Sequence, residues 1–517
     1  MHYLEHRRSE QLGGIVGKGM EMLEKRGGDV WQYTYDTGDV AYITVSMCMI
    51  LVMIPGLGFL YSGLARRKSA LSMIWVCFMG AIVAQIQWYF WGYSLAFSPS
   101  SNRFIGNLDN FGLKNILKHE DGSRKYPELL FAGFQGMFCS VTVAIVVGGV
   151  AERGRLLPAM IFAFCWATIV YCPIAFWIWG PNGWAGAHWD VLDFAGGGPV
   201  EIASGIGGLA YSFALGRRKE QLLLNFRPHN VSLVTMGTAL LWFGWLGFNG
   251  GSALGSNLKA VYAVWNSNIA ACFGALTWCL LDFRLEKKWS TVAICSGIIS
   301  GLVAATPCSG IIPLWASVPL GIVAAAICNF STQIKYILKI DDSMDTFAEH
   351  GVAGIVGLIF NAFFGADYVI GLDGSTPHGG GWVSNNWKQI YKQICFVLAA
   401  SGYTFVMTVV LCYAINFIPG CKLRASEEAE LRGMDEDQIG EFAYDYVEVR
   451  RDWLAWTPPT KSHMHDEPEH STDADAIEAN ADVLAGSSPN DQNSSMEQPP
   501  TSSQATSADD EKNGIHP

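Results

Sequence analysis

The sequence predicts an all-α membrane protein of eleven transmembrane helices: two inverted five-helix repeats plus one further helix, with the N-terminus outside and the C-terminus cytosolic. Three observations predict it. The apolar residues come in blocks long enough to cross a bilayer, positive charge alternates between the short loops, and one pattern from the middle of the chain is echoed far downstream. The 517 residues are 50% hydrophobic and only 15% charged, with a mean hydropathy of +0.23, which is too apolar for a soluble domain of this length.

A helix needs about twenty consecutive apolar residues to span a bilayer. Such blocks lie near 40–62, 70–97, 128–150, 157–179, 194–215, 231–249, 259–281, 290–306, 311–330, 346–365 and 390–418. Residues 1–35 are polar and mixed in charge, and they lack the charged-then-apolar layout of a cleavable signal. They read as an extracellular N-terminal segment.

The first block ends in Arg66, Arg67 and Lys68, and cations beside short loops mark the cytoplasmic side. Arg153 and Arg155 follow the third block, Arg217, Arg218 and Lys219 the fifth, Arg284, Lys287 and Lys288 the seventh, and Lys335 and Lys339 the ninth. The loops around 180–192, 250–258, 307–312 and 366–386 carry no Lys or Arg, with Lys388 just beyond the last. Only the loop 98–127, with Arg103, Lys114, Lys118, Arg124 and Lys125, breaks the alternation. With an odd number of spans, the first five and the next five run in opposite orientation, which is the layout of an inverted repeat.

The fifth block opens Asp193-Phe-Ala-Gly-Gly-Gly-Pro-Val-Glu201 and continues with Gly205 and Gly208; the tenth contains His350 followed by Gly354 and Gly357. In each, an ionisable residue has glycine four and seven places on, along one helix face. A face without side chains admits another helix or a small solute close to the backbone. Glu201 and His350 hold corresponding places in the two halves, and repeats of this kind put their site where the halves meet near the midplane. An ionisable group in the hydrocarbon zone costs about 2.5 to 3.5 kcal/mol on insertion scales, so it needs a partner. The two are therefore expected to meet. A buried acid beside an imidazole titrates as a coupled pair and can pass a proton; the plainer alternative is a hydrogen-bonded clasp between helices.

Aromatic residues gather on helices that approach the same region: Phe134 and Phe138 on the third block, Trp179 ending the fourth, and Trp242, Trp245 and Phe248 before Ser252 on the sixth. Ring faces stabilise a desolvating cation, and a hydroxyl accepts one of its hydrogen bonds. An interfacial aromatic belt is the competing explanation. The 13 cysteines lie mostly inside apolar blocks without paired spacing and read as core residues.

After residue 418 the chain turns polar. Residues 419–451 keep enough apolar and helical character to fold against the cytosolic face, whereas 452–517 are rich in Ser, Thr, Asp, Glu, Asn, Gln and Pro and read as a disordered cytosolic tail. Much of the net charge of −12 comes from that tail and says little about a partner for the membrane part. Nothing resembles a nucleic-acid surface, and no nucleophile–base set, metal spacing or phosphate loop is present, so neither an enzyme nor a cofactor is expected.

From about Asp36 through Tyr444 the sequence resembles a fungal, Mep-type member of the ammonium transporter family (the Amt/Mep/Rh superfamily). The residues that carry the resemblance are Pro55-Gly-Leu-Gly-Phe-Leu-Tyr-Ser-Gly-Leu-Ala-Arg-Arg-Lys68, Phe134-Gln-Gly-Met-Phe138, Asp193-Phe-Ala-Gly-Gly197, Gly244 to Ser252, Asp341-Asp342 with His350-Gly351, and Glu427 to Tyr444. The resemblance implies uptake of ammonium or ammonia across the plasma membrane by a homotrimer, or a heterotrimer with related permeases, with one pore per subunit. It also implies an outer recruitment site of Trp179, Phe138 and Ser252, a phenyl gate of Phe138 and Phe248, and a supporting acid, Asp193, that caps the start of its helix. Glu427 to Tyr444 would contact neighbouring subunits, with a kinase or cytosolic regulator acting on the tail. His350 matches the second of the family's paired pore histidines. Glu201 stands where the first would be, so a proton-handling pair with a changed pH response and weaker cation discrimination is expected. An ammonium sensor and a passive ammonia gas channel are the rival readings.

Overall fold

The computed structural model describes residues 35–117, 125–219, 227–374 and 379–444. The expected N-terminal segment before residue 35, the tail 452–517 and the last residues of 419–451 lie outside the described residues. Among the described residues the regular structure is helical, and the one antiparallel bridge, between Gly154 and Arg424, is isolated.

Among the described residues, nine helices are long and apolar enough to cross a membrane: α1 Thr37–Leu64, α2 Arg67–Phe97, α3 Glu128–Val150, α4 Leu156–Trp179, α6 Val231–Gly251, α7 Leu258–Glu286, α9 Leu314–Leu338, α10 Phe347–Phe364 and α11 Lys388–Asn416. The fifth and eighth expected spans are shorter. Helix α5 is a widened turn, Gly197–Ile202, that runs on as Ala203–Leu215, and α8 is Thr291–Ala305. A short α12, Glu427–Arg432, and a single wide turn, Asp435–Ile439, lie at the C-terminal end of the described residues.

The helix starts follow from local chemistry. Side chains of Asp36, Asn230, Asn257, Ser290 and Ser426 each accept the backbone N–H three residues on, capping α1, α6, α7, α8 and α12. Helix α5 begins at Gly197 rather than Phe194 because the stretch before it is bound elsewhere. Phe194 N donates to Pro307 O and Ala195 N to Thr306 O, and Gly196 takes a φ of +114° that an L side chain resists.

The glycine strips are used for helix contact. A Cβ on Gly205 would lie 2.0 Å from Gly351 N, and one on Gly354 would lie 2.6 Å from the Glu201 Cβ. Helices α5 and α10 thus cross with backbone against backbone.

The helix ends that carry the cationic loops share a buried ionic cluster. Glu152, Arg153, Arg218 and Asp341 are each no more than 6% exposed. Arg218 grips Asp341 with Nε at 2.7 Å and Nη2 at 2.8 Å and also pairs with Glu152, while Arg153 Nη2 donates to Asp341 O. The C-terminal segment closes over this cluster. Arg424 pairs with Glu430 at 2.7 Å and donates to Leu215 O, Arg66 donates to Glu430 O, and Asp435 accepts Leu71 N and Ser72 N at the start of α2. All 13 cysteines are free; eight are buried, and Cys48, Cys272 and Cys395 are exposed on helix faces.

Candidate functional site

Two carboxylates set up the centre of the molecule. Asp193 Oδ1 accepts the N–H groups of Gly196 and Gly197 at 2.9 and 2.6 Å, and Oδ2 accepts Gly198 N at 2.8 Å. These are the orphan donors of the α5 start. On α10, Asp342 Oδ1 accepts Thr346 N and Oγ1 at 3.3 and 3.0 Å, and Oδ2 accepts Phe347 N at 2.9 Å. Each capped end opens into a widened turn, Gly197–Ile202 and Phe347–Val352, and such turns recur at functional sites. Glu201 and His350 each lie on one of these turns, and each stands eight residues after its capping acid. The capping role of Asp342 was missed in the sequence, although the shared eight-residue spacing was there to be read.

His350 Nδ1 lies 3.0 Å from Glu201 Oε2. Glu201 is 0% and His350 2% exposed, so both face the protein interior. The ring of Trp245 lies parallel to His350 with centroids 6.2 Å apart, and its Nε1 donates to Thr306 Oγ1 at 2.9 Å. Trp245 entered the sequence reading only as one ring of an aromatic run, and Thr306 did not enter it.

One turn further along α6, Phe248 stacks on Phe138 with centroids 3.9 Å apart and planes 26° from parallel. Trp179 meets Phe138 edge-on at 6.0 Å, and Phe134 lies 4.9 Å from Phe138. Phe138 and Phe248 are buried, which sets them apart from a lipid-facing belt. Beyond them opens a cavity of about 820 Å³ lined by Trp179, Asp193 and Ser252 among others. Ser252 Oγ donates to Phe248 O at 2.8 Å, which leaves its lone pairs free to accept. Asp36, Asp39, Asp190, Asp193 and Asp373 line the same cavity against Lys125 and Lys259, and Lys259 is itself paired with Asp373 at 2.9 Å. A cavity with that excess of carboxylates concentrates cations. Cavity, ring pair, indole and acid–imidazole pair therefore follow one another along a single line of contacts.

The family model described as "Ammonium Transporter Family" matches residues 41–444. The chain belongs to the ammonium transporter family. It is 58% identical over 447 residues to the ammonium transporter MEP1 of Saccharomyces cerevisiae, covering 86% of this chain and 91% of that one. To MEP3 of the same yeast it is 59% identical over 431 residues, covering 83% and 88%. The crystal structure of Candida albicans Mep2 superposes with a TM-score of 0.73 at 44% identity, covering 81% of this chain and 93% of that one. As an ammonium transporter, the chain has a small monovalent cation to handle, and its acidic cavity, stacked rings and paired acid and imidazole are groups suited to that. Among the described residues, no three of His, Cys, Asp and Glu are grouped to hold a metal ion.

Proposed function

We propose that this ammonium transporter works at the plasma membrane, taking up ammonium for nitrogen supply through one apolar pore per subunit of a trimer. Ammonium collects in the acidic outer cavity, where the rings of Trp179 and Phe138 face its charge and Ser252 accepts one of its hydrogen bonds. It sheds water and gives up its proton before or while passing the gate formed by Phe138 and Phe248. Ammonia then moves past Trp245 to Glu201 and His350, which handle the proton. Asp193 supports the outer site from behind by holding the first turn of α5.

The stacking of Phe138 on Phe248 between an acidic cavity and a buried acid–imidazole pair carries this reading. A gate between a charged vestibule and a dry interior suits a solute that changes protonation on the way. The clustering of Arg66, Arg153, Arg218 and Arg424 at one end supports eleven spans, with α5 and α8 counted in, a cytosolic C-terminus and an outside N-terminus. The contacts made by Arg424, Glu430 and Asp435 support residues 419–451 as a cytosolic regulatory region. The tail 452–517 would then be the place for a kinase or another cytosolic regulator to act. An ammonium pulse applied to reconstituted protein, recorded electrically and as ammonia flux, tests the reading; wild-type flux after Asp193→Ala or after Glu201→Ala would refute the assigned route.

A further inference from the structure

The outer turns of α11 carry two amides four residues apart, Gln389 and Gln393, on one helix face and both 0% exposed. Neither packs as an idle polar group. Leu192 N donates to Gln393 Oε1 at 3.1 Å, and Gln393 Nε2 donates to Leu192 O at 2.6 Å and to Leu358 O on α10 at 3.0 Å. Leu192 O also accepts Asn361 Nδ2 from α10 at 2.9 Å, and the same amide reaches Pro307 O at 2.7 Å. Gln389 Nε2 holds Asp190 O at 2.9 Å.

The residue gripped in this way is the one before Asp193. Its segment belongs to no helix, so its position comes from bonds made by others. Asp193 must present two oxygens to three backbone N–H groups at once, and such bonds weaken quickly with distance and angle. A buried amide costs free energy unless it is satisfied, and an apolar side chain would fill the same space without that cost. The amide of Gln393 supplies a donor and an acceptor aimed at the backbone N–H and C=O of one residue, Leu192, linking α11 and α10 to the start of α5.

We propose that Gln393, aided by Asn361, is a positioning residue for ammonium transport: it fixes Asp193 at the depth from which its carboxylate holds the α5 turn bearing Glu201, and so sets the apparent affinity of the pore. The inference rests on the pore assigned above. It acts through backbone geometry and not through contact with the solute.

The test uses the full chain in yeast cells without ammonium transporters of their own, reading ¹⁵N-ammonium uptake per transporter at the cell surface. Gln393→Met keeps the bulk and removes both hydrogen-bonding groups; Gln393→Glu keeps an acceptor for Leu192 N–H; Asp193→Ala runs alongside. The half-saturation concentration rises about tenfold in Gln393→Met and at least as much in Gln393→Glu, whose second oxygen faces the carbonyls of Leu192 and Leu358, with a smaller change in maximal rate per molecule. Wild-type half-saturation in both Gln393 variants, beside an impaired Asp193→Ala, overturns the inference alone, as does a loss confined to surface abundance. Wild-type transport by Asp193→Ala overturns the pore reading and the inference with it. Where Gln393→Met does not reach the surface, the half-saturation of Gln393→Glu decides.

Discussion

Replacing Glu201 separates packing from proton chemistry. Glu201→Ala removes the Glu201 Oε2 atom that lies 3.0 Å from His350 Nδ1, in a place where both residues are almost fully excluded from solvent. A buried ring nitrogen left without a partner costs about 1–3 kcal/mol; if the pair is ionised, stranding one charge costs about 3–5 kcal/mol. The void left by the missing carboxyl adds to either figure. Glu201→Gln keeps the size and an acceptor, so its stability should stay within about 1 kcal/mol of wild type, yet it has no acid. Glu201→His restores a titratable group of different chemistry. The assay is ¹⁵N-ammonium uptake per surface molecule between about pH 5 and 8, with thermal melting of purified protein beside it. The expected outcome is lowered melting for Ala alone, and a pH profile altered in all three variants. Identical pH profiles in wild type, Gln, His and Ala would refute the proposal that Glu201 and His350 handle the proton.

Phe248→Ala removes a ring stack worth about 0.5–1.5 kcal/mol and widens the proposed gate, so uptake of larger alkylammonium ions should rise relative to ammonium in competition assays. Ending the chain at about 420 removes Glu430 and the Asp435 carboxylate that accepts Leu71 N and Ser72 N; two N–H groups stranded at about 1–3 kcal/mol each should abolish or strongly lower transport, whereas ending it at about 455 should spare the pore. Burial works against charge on Asp341, but the hydrogen bonds from Arg218 and the charge of Arg153 outweigh it and hold its carboxyl well below the usual carboxylate range. A carboxyl depressed in the fold contributes stability above its unfolded pKa of about 3.9 and loses it as pH falls through the lower folded value. Protection of the backbone amides across 419–444, measured relative to their intrinsic exchange rates at each pH, should therefore stay constant from neutral pH down to about 5 and fall only below about 4. A loss of protection already near pH 6 would contradict this.

The membrane helices were legible because spanning a bilayer imposes length and apolarity on each segment, and the apolar blocks end within three residues of the helices except at the ends of α7 and α9, which run five and eight residues further. The fifth block was placed three residues early, since composition does not reveal that Phe194 and Ala195 bond to the end of α8. The contact of Glu201 with His350 could be anticipated because a carboxyl in an apolar run must find a partner, and the glycine spacing pointed to the helix that supplies it. The amides of Gln389, Asn361 and Gln393 left no such trace. A glutamine near a helix end looks the same whether it faces water or grips a buried peptide. The ionic cluster of Glu152, Arg218 and Asp341 was hidden for a related reason: each charge sits in a loop where an exposed cation or acid is the ordinary expectation, and only the closing of distant loops on one another buries it.

The bare-backbone crossing of α5 and α10 limits what the proposed conduit can become. Where side chains separate two helices, rotamers can swing aside and the bore can stretch around a bulkier guest. Here a methyl group on Gly205 would already collide with the opposite main chain at 2.0 Å, and helical peptide units, held by their own hydrogen bonds, have no rotamer to swing aside. On the proposed route the crossing has no side chain to trade for width, so a variant that admits larger molecules is to be sought at the rings of Phe138 and Phe248 and not at the crossing itself.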